Sequence, residues 1–380
     1  MAKNVVLAVA GAGKTYHICR VIDPLKKNLI LAFTHENVRN IYRELLAAHG
    51  NIPTLTTVMT FDAFVYRFFV CPYFPTIARF FNRVSFAMQG ITLTKPPDKG
   101  KKLTNGGYCP NPAYIKDKEL EHYFNKLGQV YNAYTSKLVM RVKKGRDSLI
   151  NRASQMLNQF FDKILIDEFQ DFREYDYDLI MTLSKSIDNI LLVGDYYQHS
   201  VSAVNNTGKP FTGKNKVPVT YNDFVSSVKK NGFEVDKTTL DKSRRCPIKI
   251  CDFVRDKFGI EIHADNSNSG GVIWLESDIE AVLDNDKIMK LVYKNSAKYS
   301  FWSQNWSYSK GNTFDEVCVI LTKELDELNN SSFNIKKMAV STVNMLYVAL
   351  TRTKGNLYII TDRRFQSVKK KYFDESEKNA

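Results

Sequence analysis

Three groups of residues have the types and spacing for phosphate chemistry. The first is Ala10-Gly11-Ala12-Gly13-Lys14-Thr15. Small residues let a loop curl so that its N–H groups face a pyrophosphate, and a following helix adds partial positive charge. Lys14 supplies a point charge for the β and γ phosphates, the Thr15 hydroxyl a ligand for Mg²⁺, and Tyr16 adjoins them. The usual first glycine of this pattern is Ala8 here. The second group is Asp167-Glu168-Phe169-Gln170-Asp171, closing a strand-like run. Asp167 is placed to hold the Mg²⁺, and Glu168 to orient or deprotonate an attacking water. The third group supplies cations and a sensor. Arg244, Arg245 and Arg352 could meet transition-state charge, and the Gln198 amide could sense a γ-phosphate. Gly311 makes a turn ahead of a further strand.

These groups need a scaffold, and the apolar runs provide one. Val5–Val9, Asn28–Phe33, Thr54–Val58, Lys163–Ile166 and Ile190–Val193 read as strands. A helix is expected from His35 to Ala48 and an aromatic-rich one from Phe61. Such alternation predicts a parallel sheet covered by helices, with ligands at the carboxyl ends of the strands. Beyond Leu240, strands are expected at Val272–Leu275, Glu316–Leu321 and Leu357–Thr361, with helices at Ile279–Tyr293 and Thr342–Thr351. Val201–Thr220 reads as a mobile loop, and Arg363–Ala380 as a fraying tail.

The chain has 380 residues, 44% of them hydrophobic, and a net charge of +14. That balance favours an anionic partner, nucleic acid before membrane. The longest apolar stretch, Phe61 to Phe81, is broken by Arg67, Pro72, Pro75 and Arg79, so no membrane span is expected. The six cysteines show no C-x-x-C pair and read as reduced core thiols. Residues 76–160 carry 15 Lys/Arg against 5 Asp/Glu, a net of +10 in under a quarter of the length. Lys137, Arg141, Lys143, Lys144 and Arg146 are its densest part, and tyrosines interleave, which suits a single-stranded nucleic acid.

Taken together and in this order, the phosphate loop, DEFQD and YVALTRT resemble the superfamily-1 helicases of the UvrD/Rep type. The resemblance covers most of the chain outside the insertion and Gly259–Ser300. It implies an α/β fold of two RecA-like motor domains with parallel sheets, plus a basic, mainly helical insertion. The first domain would be 1–75 and 161–239, the insertion 76–160, and the second domain 240–380. ATP and Mg²⁺ are the implied cofactors. Single-stranded DNA or a tailed duplex is the implied partner, with a nuclease or replication protein as a further one. Residue by residue, Lys14, Thr15, Asp167, Glu168, Arg245 and Arg352 match the hydrolysis set, and Gln170 and Gln198 the coupling glutamines. Thr34, within LAFTHENVRN, and Phe61, within Thr60-Phe61-Asp62, match strand-contacting positions.

Several positions depart from that pattern. Only 13 residues precede Lys14, so the adenine-reading glutamine motif has no counterpart and the nucleotide is expected to be held mainly by its phosphates. Arg244 replaces the adenine-stacking tyrosine. A base-stacking tryptophan falls at Ala203. Lys310-Gly311-Asn312-Thr313 reads partly like the other polarity class, and 64 residues between Arg245 and Lys310 leave no space for the second-domain insertion. The expected function is an ATP-dependent DNA helicase or translocase in the cytoplasm of a bacterial or phage-infected cell. The alternative is a nucleotide-gated DNA-binding regulator of a partner such as a nuclease, with ATPase but little unwinding.

Overall fold

A computed structural model of the chain describes residues 2–104, 106–144, 147–201, 208–265 and 267–373. The first half runs β1 (Ala2–Leu7), α1 (Lys14–Arg20), β2 (Asn28–Ala32), α2 (His35–His49), β3 (Thr56–Thr60), α3 (Phe61–Val65), α4 (Phe74–Phe80), α5 (Thr135–Arg141), α6 (Leu149–Phe160), β4 (Lys163–Ile166), α7 (Glu174–Leu183) and β5 (Asn189–Gly194). The second runs α8 (Tyr221–Lys230), β6 (Glu234–Asp236), α9 (Ile248–Phe258), β7 (Val272–Trp274), α10 (Ile279–Leu283), β8 (Ile288–Val292), β9 (Ser303–Asn305), β10 (Glu316–Ile320), α11 (Val340–Leu350), β11 (Leu357–Ile360) and α12 (Asp362–Tyr372). The fold is α/β, and its main sheets are parallel. All five strands expected in the first half are present.

The chain forms two compact units. One comprises Met1–Lys3, Ile18–Asp167 and Phe172–Leu191; the other comprises Asn4–His17, Glu168–Asp171 and Leu192–Ala380. In the first unit, β4, β2 and β3 pair in parallel, with Lys163 opposite Asn28 and Asn28 opposite Thr56. Every residue of β2 is buried, as expected of a parallel strand covered on both faces. The Thr34 hydroxyl caps α2 by accepting from the Asn37 N–H, and Gly50 ends the helix in the left-handed region. The Phe61 and Phe172 rings meet edge-on at 4.9 Å in the core beneath. The insertion, expected to be mainly helical, carries α5 and α6 towards its end, and most of its other described residues form turns and short two-stranded ladders such as Gly100–Lys102 against Tyr108–Pro110.

In the second unit, β6 pairs with β1, and a five-stranded parallel sheet runs β7–β11–β10–β8–β9. Helix α11 is buried from Asn344 to Leu350, so it is apolar nearly all round.

Three expectations need correction. The helix expected over Ile279–Tyr293 stops at Leu283, and Ile288–Val292 is a fully buried strand. Lys290 disguised that strand in the sequence; its amine donates to the Asn285 carbonyl at 2.9 Å, which makes burial of the stem tolerable. Residues 362–372 do not fray. Thr361 caps α12, and Phe365 and Tyr372 bury against the sheet. In Val201–Thr220 the described part, Val201 and 208–220, is anchored: Val201 is buried, and Phe211 stacks on His199 at 4.1 Å and on Phe224 at 5.2 Å. Four cysteines are buried, whereas Cys71 and Cys109 are exposed. Among the described residues no helix is long and apolar enough to cross a membrane.

Candidate nucleotide site

The second unit gathers most of the expected hydrolysis set. After β1, the chain turns through Gly11 at φ 76° and Gly13 at φ 83°, both in the region that favours glycine. Gly11 is doubly required: a Cβ there would lie 2.6 Å from Ser243 Oγ and 2.8 Å from Arg245 Cβ. The Gly11 carbonyl accepts from the Arg244 N–H at 2.9 Å, which fixes the paired arginines beside the loop. The Ala10 N–H donates to the Tyr347 hydroxyl at 2.8 Å, and Ala12 N–H turns back to the Val9 carbonyl. Helix α1 begins at Lys14, with Thr15 in its first turn.

Lys14 Nζ lies 3.3 Å from Glu168 Oε1, its side chain only 9% exposed. Glu168 sits at φ 52°, a left-handed backbone that a non-glycine residue adopts at a cost. Its other oxygen is 3.8 Å from Lys310 Nζ and accepts from the Gln170 amide. Gln170 in turn accepts from the Asp195 N–H at 2.9 Å, so it ties the two strand ends together. Lys310 also grips both oxygens of Asp171, at 2.6 and 2.8 Å. Burial would raise the Glu168 carboxyl, but Lys14 and Lys310 outweigh it and hold it down at about 2. Burial pushes Asp171 up, and Lys310 opposes that.

The arginines are held differently. Arg245 donates to the Thr351 carbonyl at 3.0 Å. Arg352 is 2% exposed and donates to the Val348 carbonyl at 2.8 Å and to Asn312 and Thr351 at 3.5 Å. Among the described residues neither forms an ion pair with a carboxylate. Burial and the neighbouring Arg245 push the Arg352 guanidinium below its ordinary value. Arg352 is buried and Arg245 partly so, and their hydrogen-bond partners are carbonyls and a hydroxyl, with Glu168 as a more distant counter-charge. Gly311, at φ 90°, turns the chain between Lys310 and Asn312. Arg352 follows α11 by two residues and is not on the helix itself.

Other expected residues fall elsewhere. Asp167 ends the first unit's β4, fully buried, its N–H on the Leu31 carbonyl. Arg244 lies over the Tyr16 ring at 4.5 Å, so these two pair with each other. Gln198 is buried in the turn Tyr196–Gln198. Phe61 is 2% exposed, which corrects its reading as a base contact, since a ring enclosed by the core has no face to offer. Thr34 is exposed with its hydroxyl engaged in the α2 cap. Lys137 and Arg141 both pair with Asp117, at 3.6 and 3.4 Å, and Lys137 also meets His122 and the Tyr134 ring. Asp117 offsets half of their combined charge within the insertion. Lys143 is exposed. The Lys144 side chain, Arg146 and Ala203 lie outside the described residues.

A family model described as an AAA domain matches residues 2–203, and one described as the viral superfamily 1 RNA helicase core domain matches residues 118–361. Each spans more than half of the chain. The chain belongs to the superfamily-1 helicases. A curated relative described as a probable DNA helicase II homolog, from Mycoplasma genitalium, is 24% identical over 240 residues, which cover 51% of this helicase and 33% of the relative. The helicase therefore spans about a third of that relative. Among solved structures it is similar to the PRRSV helicase, at 13% identity and a TM-score of 0.45, over 98% of this chain and 54% of that one. It is also similar to arterivirus nonstructural protein 10 (helicase) solved with DNA, at 12% identity and a TM-score of 0.44, over 99% and 62% of the two chains.

Sequence reasoning gave no role to Lys310, Asp171, Asp195 or Tyr347. Tyr347, buried on α11, accepts from the loop at Ala10 and donates to Asp195 at 3.3 Å. Burial pushes Asp195 up to about 6, with Lys14 and the Tyr197 N–H opposing. A carboxyl raised on folding favours the native state at low pH. That contribution is full below the ordinary carboxylate range and is lost as pH rises through about 6. Asp195→Asn is therefore expected to raise the melting temperature by a few degrees at pH 7.5 and by less at pH 4.5. Thermal melts of both proteins at the two pH values check this.

Proposed function

We propose that this helicase is an ATP-dependent translocase on single-stranded DNA. The observation that supports it most directly is the cation set of the second unit. Lys14 and Arg245 lie at a glycine-turned loop, Arg352 lies near enough to Arg245 to feel its charge, and among the described residues neither arginine forms an ion pair with a carboxylate. A triphosphate supplies the charge they lack, so the donor set fits ATP. Thr15 offers a hydroxyl and Asp167 a carboxylate, each a fitting oxygen donor for Mg²⁺, a hard cation. Bound there, the metal would offset charge on the phosphate oxygens.

In this reading Lys14 exchanges Glu168 for the β and γ phosphates. Glu168 then loses one of the two cations that hold its carboxyl low. It becomes a better base, positioned to take a proton from the attacking water. Arg245 and Arg352 meet charge developing on the γ-phosphoryl group. Lys310, gripping Asp171 and facing Glu168, keeps the carboxylates apart from Lys14 when Lys14 turns to phosphate. The proposed domains are 1–75 with 161–239, the insertion 76–160, and 240–380. The choice of DNA follows the curated relative's description, while one family description names RNA, so the substrate panel must include both.

Phosphate release should be measured with no nucleic acid, single-stranded DNA, RNA, blunt duplex, and tailed duplexes of both polarities. Stimulation by single-stranded DNA is expected, and Glu168→Gln should lower the rate by about 10²–10⁴-fold. No hydrolysis under any of these conditions, over a range of salt, would overturn the proposal. Hydrolysis without strand displacement would favour the nucleotide-gated regulator instead.

A further inference from the structure

The first unit contains a cavity of about 430 Å³ that the hydrolysis set does not use. Its wall includes Tyr73, Arg79 and Phe80 beside or on α4, Lys143, and Ser148 and Arg152 at the start of α6. Among the described residues three of the lining side chains are cations and none is a carboxylate. The volume lies within the range of about 300–1,000 Å³ typical of small-molecule sites.

Two features distinguish this wall from the rest of the basic insertion. Lys137 and Arg141 share Asp117 as an ion-pair partner, whereas Arg79 and Lys143 form no ion pair among the described residues. Phe80 is 41% exposed, yet its ring is held: Phe81 meets it edge-on at 5.0 Å and packs on Tyr123 in turn. A fixed, exposed ring beside unspent positive charge offers a face for a base and counter-charge for a phosphate.

We infer that this cavity binds one nucleoside phosphate unit, its base against Phe80 and its phosphate at Arg79 and Lys143. The unit is either a nucleotide of a bound strand or a free nucleotide. The first source rests on the nucleic-acid reading above; the second does not.

Two probes separate the sources: a fluorescein-labelled oligothymidine followed by anisotropy, and AMP followed by ligand-observed NMR. Phe80→Leu should weaken the oligonucleotide about tenfold, the size of one lost stacking contact. Arg79→Gln with Lys143→Gln should make the slope of log K against log salt shallower by about 0.7, one phosphate contact on a single strand. Phe80→Trp should restore binding and show quenching when the probe is added. Melting temperatures equal to that of the unmodified protein establish that the variants fold.

Loss of oligonucleotide affinity supports the cavity with a strand as its source. Loss of AMP binding alone supports it with a free nucleotide. Folded variants that bind both probes like the unmodified protein overturn the inference. If the unmodified protein binds no strand at any salt, the strand reading fails, and the AMP measurement alone decides the cavity.

Discussion

Replacing Lys14 by alanine is expected to lower ATP hydrolysis by about 10²–10³-fold, the usual cost of one electrostatic contact to a transition state. Two effects act together. The β and γ phosphates lose their point charge, so nucleotide affinity falls. Glu168 also loses its nearer cation, at 3.3 Å, and keeps only Lys310 at 3.8 Å. Burial then counts for more, and the Glu168 carboxyl rises from about 2 in the nucleotide-free protein. The acidic limb of the residual rate should accordingly move to higher pH. Lys14→Arg is expected to rescue little, because a planar fork does not replace a compact ammonium in a loop closed against Ser243 and Arg245. Phosphate release against pH, with binding of a fluorescent ATP analogue, checks both effects. A Lys14→Ala protein with unchanged rate and affinity would remove Lys14 from the proposed mechanism.

The parts legible in the sequence were those written in local patterns. β2 and β4 are short apolar runs, and the glycines of the loop announce a turn that only glycine adopts freely. Lys14, Glu168, Arg245 and Arg352 stand in recognisable strings, and the structure gathers all four in one unit. What stayed hidden was of two kinds. Some elements carry a residue that contradicts their pattern, as Lys290 does within a fully buried strand. Some contacts depend on residues far apart in sequence: Lys310 on Asp171 spans 139 positions, and Tyr347 on Ala10 spans 337. No periodicity encodes such pairs. The insertion shows the same limit for charge. Counting lysines and arginines located the basic segment, but it did not reveal that Asp117 takes up Lys137 and Arg141. Nor did it show that Arg79, outside the densest run, forms no ion pair among the described residues.

Arg352→Ala is expected to lower kcat by about 10³-fold with a smaller change in KM, because a γ-phosphate arginine acts chiefly on the transition state. The geometry makes this separable from a loss of fold. Arg352 Nε is committed to the Val348 carbonyl at 2.8 Å, while its two terminal nitrogens make only 3.5 Å contacts. Arg352→Lys keeps a charge in the site but cannot hold Val348 and reach phosphate at once. It should therefore fold with a higher melting temperature than Arg352→Ala and still show most of the loss in kcat. The nucleotide-free protein adds a second readout. Arg352 is buried beside Arg245, and burial and Arg245 outweigh the offset that Glu168 provides, so an incoming anion is favoured at this pair. A non-hydrolysable ATP analogue at 100 times its Kd stabilises the native state by about 2.7 kcal/mol through mass action. At the same analogue concentration both Arg352 variants should show a smaller rise in melting temperature, since part of that affinity comes from neutralising the pair. A variant that loses kcat yet gains the full thermal shift would assign Arg352 to the transition state alone. One that keeps both would leave Arg245 as the only arginine in the reaction.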